Sequence, residues 1–98
     1  MTFAAKPKVT RIGAGANIEF AVSAPTDVEV AILNGTNVIR HLAAGVLGGA
    51  NAPPIPLKPG LAQVLDWDGK DDLGKPVAGA TTVRVRTGIG AKFGRLIG

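Results

Sequence analysis

The sequence predicts an all-β chain, an antiparallel β-sandwich of about seven strands with one long Pro/Gly-rich loop. Apolar residues recur with period two in several short runs, the pattern of half-buried strands. Fourteen glycines and seven prolines punctuate those runs, too densely for long helices. The chain is 46% apolar but only 4% aromatic, so its core must come mainly from Val, Ile, Leu and Ala, among which the β-branched pair suits a pleated surface. Ninety-eight residues suit one domain with a true core.

In chain order, residues 1–7 are expected as a lead-in, since Pro7 discourages regular structure before it. A single domain then spans 8–98. Residues 8–12 form a short strand closed by Gly13-Ala14-Gly15. Residues 17–23 alternate cleanly, with Ile18, Phe20 and Val22 on one face and Asn17, Glu19 and Ala21 on the other. Ala24-Pro25-Thr26-Asp27 supplies a turn. Residues 28–33 place Val28, Val30 and Ile32 inward and Glu29 outward. Asn34-Gly35 then predicts a type I′ hairpin, because both residues tolerate positive φ. The return strand, 37–42, puts Val38, Arg40 and Leu42 on one face and Ile39 and His41 on the other.

Residues 43–61 break the pattern and read as a loop insertion, in which 53–59 is extended and polyproline-like. Prolines there withhold ladder donors. A connection of this length in a compact domain calls for a purpose or for mobility, so Pro53, Pro54, Pro56 and Pro59 are candidate partner contacts, because such segments lose little entropy on binding. A strand resumes over 63–67. Another covers 82–87, with Val83 and Val85 inward and Arg84 and Arg86 projecting outward as further candidate contacts. Residues 88–98 read as a last edge strand or an exit linker.

Charge and chemistry narrow the function. No cysteine is present, which removes disulfides and thiolate metal sites. The single histidine, His41, cannot build a zinc site by itself, and nothing marks a nucleophile and orienting acid around it; it reads as a surface or strand-pairing residue. The segment 88–94 is glycine-rich but lacks the phosphate-loop spacing. No catalytic residues are expected, the chain is read as no enzyme, and no cofactor is implied. The formal net charge is +4, yet without an aromatic stacking set nucleic acid is not an expected partner. No apolar run approaches a membrane span, and the N-terminus lacks the apolar core of a secretory signal. The chain therefore reads either as a cytoplasmic protein or as a module of a longer one, and the second reading is preferred.

The densest stretch is 65–79, Leu-Asp-Trp-Asp-Gly-Lys-Asp-Asp-Leu-Gly-Lys-Pro-Val-Ala-Gly, which holds the only Trp and four of the seven acidic residues. Trp67 is suited to plug the sandwich end while its indole N–H finds a carbonyl. Asp68 is suited to cap a turn in which Gly69 takes positive φ, with Gly74 doing the same in a second turn and Pro76 presetting φ for the next strand. Asp66, Asp68, Asp71 and Asp72 also form an Asp-x-Asp-Gly-x-Asp-Asp array, a candidate Ca²⁺ ligand set, since hard cations want clustered carboxylates; the order of an EF-hand loop is absent.

Residues 67–79, followed by a Thr/Val strand and preceded by a hairpin ending Val-Ile-Arg-His-Leu, resemble the FlgD-type Ig-like domain of the flagellar hook-capping protein, a module that also occurs in large secreted bacterial proteins. The likeness covers roughly residues 16–87. It marks Trp67, Asp68, Gly69, Asp71, Gly74, Pro76 and Gly79 as the structural motif. The 43–61 insertion departs from the family pattern, as does Thr81 where an aromatic residue is usual. The resemblance implies an Ig-like or fibronectin III-like sandwich, extracellular or at the bacterial cell surface. Its implied role is a non-catalytic structural or protein-interaction module whose partners are neighbouring domains or other proteins. A flagellar hook-assembly scaffold is the second reading, and a calcium- or carbohydrate-binding accessory module the third.

Overall fold

A computed structural model describes residues 3–88 and 92–97. Its strands are β1 (Phe3–Ile12), β2 (Gly15–Val22), β3 (Thr26–Asn34), β4 (Asn37–Leu47), β5 (Ala62–Trp67), β6 (Thr81–Thr87) and β7 (Lys92–Ile97), with no helix among the described residues. Consequently no helix there is long and apolar enough to cross a membrane. Two antiparallel sheets pack face to face, one ordered β1-β2-β5 and the other β4-β3-β6-β7.

The alternating runs build the core as the sequence predicts. Ile18, Phe20 and Val22 from β2, Val28, Val30 and Ile32 from β3, and Val83 and Val85 from β6 are all buried, and Leu65 and Trp67 join them from β5. Each such side chain contributes roughly 1.5–3 kcal/mol on burial.

Several expectations are corrected. The lead-in belongs largely to β1, which begins at Phe3. Pro7 is tolerated because β1 is an edge strand whose ladder is already irregular between Phe3 and Lys8, where no donor is missed. The loop is shorter than 43–61, since β4 runs on to Leu47; Ala43 and Leu47 are buried and keep the strand in register against β3. Within 53–59 the chain turns instead of staying extended: the Leu57 amide donates to the Pro54 carbonyl at 2.9 Å across a cis Ile55–Pro56 bond.

The hairpin also differs. Asn34 pairs with Asn37, so Gly35 and Thr36 are the two turn residues. Only Gly35 has positive φ, at 62°, which is the type II′ arrangement. Beyond it the single alternation expected of β4 fails, because the register skips Ile39 and Leu42. These two bulges re-aim the strand, so that Leu42 and Ala43 are both buried and Ile39 packs on the core.

Register places the ends of the chain. Phe3 stands beside Val22, four residues before β3 begins, whereas Ile97 stands beside Thr81 at the hairpin end of β3. The chain thus enters at one pole of the sandwich and leaves at the other, along a body of 37 × 22 × 22 Å. Loop 48–61 lies toward the first pole and the Trp67 corner toward the second.

Candidate functional site

The Trp67 corner connects β5 to β6. Trp67 is 5% exposed, and its Nε1–H donates to the Lys70 carbonyl at 2.8 Å. The chain reverses around that bond. Gly69, Gly74 and Gly79 all take positive φ, at 84°, 79° and 87°. At Gly69 a side chain is excluded twice over, because a Cβ would also lie 2.4 Å from the Ala14 carbonyl oxygen.

Within the corner the acidic side chains serve the backbone. Asp68 Oδ1 accepts from the Lys70 amide at 2.9 Å, and Asp71 Oδ1 accepts from the amides of Leu73 and Lys75, both at 2.9 Å. These are the Asx-turn contacts that the aspartates of turns provide. The Asp71 amide in turn donates to the Lys75 carbonyl, and the Val77 amide to that of Gly69. Lys70 and Pro76 form a single antiparallel bridge, which places Pro76 opposite the turn it re-enters from.

The corner is also fastened across the sandwich to β4. Arg40 Nη1 donates to Asp68 Oδ1 (3.4 Å) and to the carbonyls of Lys70 (3.1 Å) and Asp71 (3.2 Å). The Lys70 carbonyl thereby receives both the indole and the guanidinium. One turn further, the Asp72 amide donates to the Ile39 carbonyl at 2.9 Å, and the His41 amide donates to Asp72 Oδ1 at 2.8 Å. His41 Nδ1 lies 2.6 Å from Asp72 Oδ2. Bonding to His41 holds the Asp72 carboxyl below the usual carboxylate range. Because β4 is an edge strand, these bonds close part of its free edge, a common remedy for an exposed strand.

The four aspartates proposed as Ca²⁺ ligands are not brought together. Asp66 sits on β5 and accepts from Asn17 Nδ2 at 2.8 Å, while Asp68, Asp71 and Asp72 point to separate donors. Among the described residues no group of three or more His, Cys, Asp or Glu side chains is placed to hold a metal ion. The motif is a folding device made of turn and clasp.

No protein-family model and no curated protein matches this chain. Its candidate contacts therefore rest on geometry. Loop 48–61 carries the candidate prolines, and it is held at two points. Leu57 is buried in the core, and Pro53, Pro54 and Leu57 fill the space where Gly45 lacks a side chain. Gln63, 1% exposed, closes the other end: its Oε1 accepts from the Lys58 amide (2.8 Å), and its Nε2 donates to the carbonyls of Lys58 (2.7 Å) and Gly60 (3.2 Å). Between these anchors Pro54 and Ile55 are exposed, Ile55 almost completely at 94%, while Pro56 is half-buried. Pro59 is exposed beside the glutamine clamp.

Arg84 and Arg86 project from the outer face of the four-stranded sheet, where both donate to Glu29 Oε1, at 2.7 and 2.8 Å. The Arg84 and Arg86 bonds lower the Glu29 pKa against a smaller opposing effect of burial. Arg84 is mostly covered while Arg86 is half-exposed, so this pair is first a cross-strand tie between β3 and β6 and only at Arg86 an open contact.

Sequence reasoning missed Gln63 and Arg40. Gln63 carried a signal, since it lies in phase with the inward Leu65 and Trp67. Arg40 carried none, because its partners are 28 to 31 residues away.

Proposed function

We propose that this chain is an Ig-like structural module without catalytic function, an in-line spacer and docking unit of a larger secreted or surface-attached bacterial protein. The observation that carries the reading is the placement of Phe3 and Ile97 at opposite poles of an elongated sandwich. Such a unit extends a tandem array without doubling the chain back. The strand order supports the Ig-like type: the fourth strand pairs with the third instead of joining the sheet of the first two, as a C′ strand does in Ig-like sandwiches. The FlgD-type reading rests on residues 67–79, whose turn, cap and plug roles match what that motif requires physically.

Small-angle scattering of two copies joined directly end to end tests the spacer reading. The expected maximum dimension is roughly twice the 37 Å long axis of one copy, as rigid modules in series require. A compact pair, folded side by side, would sink it.

A further inference from the structure

The edges of the two sheets are treated differently. β1 is broken by two register shifts and carries Pro7, and β4 has two shifts and the bonds to Asp72. β7 carries Lys92 and Arg95. Bulges, proline, covering groups and basic side chains are the usual means of keeping an edge from pairing. β5 uses none of them: its register against β2 is unbroken from Ala62 to Trp67, and it contains no proline and no basic residue.

The ladder shows which backbone groups of β5 are open. The Val22 amide donates to the Leu61 carbonyl at 3.0 Å, one step beyond the pairing of Ala21 with Ala62. Bonded and unbonded pairs alternate in an antiparallel ladder. Gln63, Leu65 and Trp67 therefore bond to β2, while Ala62, Val64 and Asp66 turn their amides and carbonyls away from it. Loop 48–61 and the Trp67 corner cover the flank toward its two poles. Even so, among the described residues no hydrogen bond reaches the amide or carbonyl of these three. All three are exposed, and Val64, apolar and mid-strand, is 46% exposed.

We propose that β5 is a pairing edge for a second copy of this chain, the two β5 strands running antiparallel about Val64. In that register Val64 faces the partner's Val64, Ala62 the partner's Asp66, and Asp66 the partner's Ala62. All are outward-turned residues, so each pair exchanges two hydrogen bonds and about six form in all. Two β-branched side chains side by side make a favourable cross-strand contact, and it covers the exposed Val64. The two Asp66 carboxylates stay roughly 14 Å apart, beyond the Debye length at physiological salt. Antiparallel pairing also sets the start of each Trp67 corner, where Asp68 is exposed, beside the other copy's loop end, whose one charged residue is Lys58. That complementarity favours a second copy over an unrelated strand. The pairing engages the flank and leaves both poles free, so it holds with or without the spacer role. One strand pair buries far less than the roughly 1,200 Å² of a standard stable interface, so half-association is expected between roughly 0.05 and 1 mM.

The test is sedimentation velocity from about 10 µM to about 1 mM, with amide exchange measured at both concentrations. The dimer should grow in with concentration. The Ala62, Val64 and Asp66 amides should exchange freely when dilute and at least about twofold more slowly when concentrated, while those of Gln63 and Leu65 stay protected throughout. Val64→Pro deletes the central outward donor without touching the β2 ladder, and an edge strand tolerates proline at such a position. Val64→Lys keeps that donor and sets like charges opposite each other. Thermal melts establish that each variant is folded. Both should stay monomeric across the range, whereas Ile55→Ser should associate as the parent does. A parent that is still monomeric at about 1 mM overturns the proposal. So does association that survives Val64→Lys, or outward amides already protected when dilute. Loss of association in Ile55→Ser overturns it too, by placing the contact on the loop.

Discussion

The Trp67 corner and loop 48–61 are the two long irregular connections of this sandwich, and both cover the β4/β5 flank, by opposite means. The corner works through polar bonds, with its acidic side chains answering its own amides or those of β4 and its carbonyls answering Trp67 and Arg40. The loop relies on one buried leucine, one buried glutamine and a patch of proline against Gly45. The corner engages Trp67, Asp68, Asp71 and Asp72 in these bonds and leaves Leu73 exposed, whereas the side chain that the loop leaves bare is Ile55. Acidic density alone is thus a poor guide to a binding site: the aspartates of the acid-rich segment serve turns and a clasp, while the loop, whose one charged residue is Lys58, carries the proposed contact.

The comparison is sharpened most by Trp67→Ala. It removes a buried indole and one of the two donors to the Lys70 carbonyl, so a loss of roughly 3–5 kcal/mol is expected in denaturant unfolding. If the variant keeps its stability, the corner is ornament and the contrast collapses.

Gln63→Ala should come next. It strands the Lys58 amide and two carbonyls without partners, and about 1–3 kcal/mol is expected for a buried group left unmade. Amide exchange should rise across residues 57–61 and stay unchanged in the corner. Faster exchange in both regions would mean that the two connections are one cooperative unit.

Acid should loosen the corner before the loop. The Asp72 and Glu29 carboxyls have lowered folded pKa values. Their stabilisation is therefore complete above the unfolded carboxylate values near pH 4 and is lost as pH falls through the lower folded ones. Exposed pairs of this kind are weak, so the melting midpoint of Asp72→Asn should lie at most about 5 °C below that of the parent near pH 6. That gap should close as pH falls through the lowered folded value of Asp72, where its carboxyl becomes as uncharged as the amide. A gap that widens in acid would contradict the assignment.

Ile55→Ser should matter least to the isolated fold, within about 0.5 kcal/mol, because the side chain touches little. On the proposed docking role, its effect would show in partner binding. A large loss of stability would show that the tip is part of the core and not a contact.

The β-sandwich was legible because its code is local. Ile18, Phe20 and Val22, or Val83 and Val85, announce an inward face by alternation within a single strand, and Gly13, Gly35 and Gly69 announce turns by residue type. Trp67 as plug and Asp68 as turn cap were legible for the same reason, each needing only neighbours within three residues. The extent of β1 was not, because whether Pro7 can sit in a strand depends on that strand lying at an edge, which is a property of the sheet.

By itself, then, the sequence determined the all-β class, the inward faces of β2, β3 and β6, and the turn chemistry of the corner, since period and φ preference are written in adjacent residues. Only the tertiary structure decided the rest. The bulges at Ile39 and Leu42 arise where β4 must match β3. The convergence of Arg40 and Trp67 on the Lys70 carbonyl, the Asp72 clasp on β4 and the Gln63 clamp all join groups that the chain alone does not bring together. The contact between β1 and β7, some 80 residues apart in sequence, exists only because the two sheets stack. Those pairings depend on distance in space, and spacing along a single sequence does not encode it.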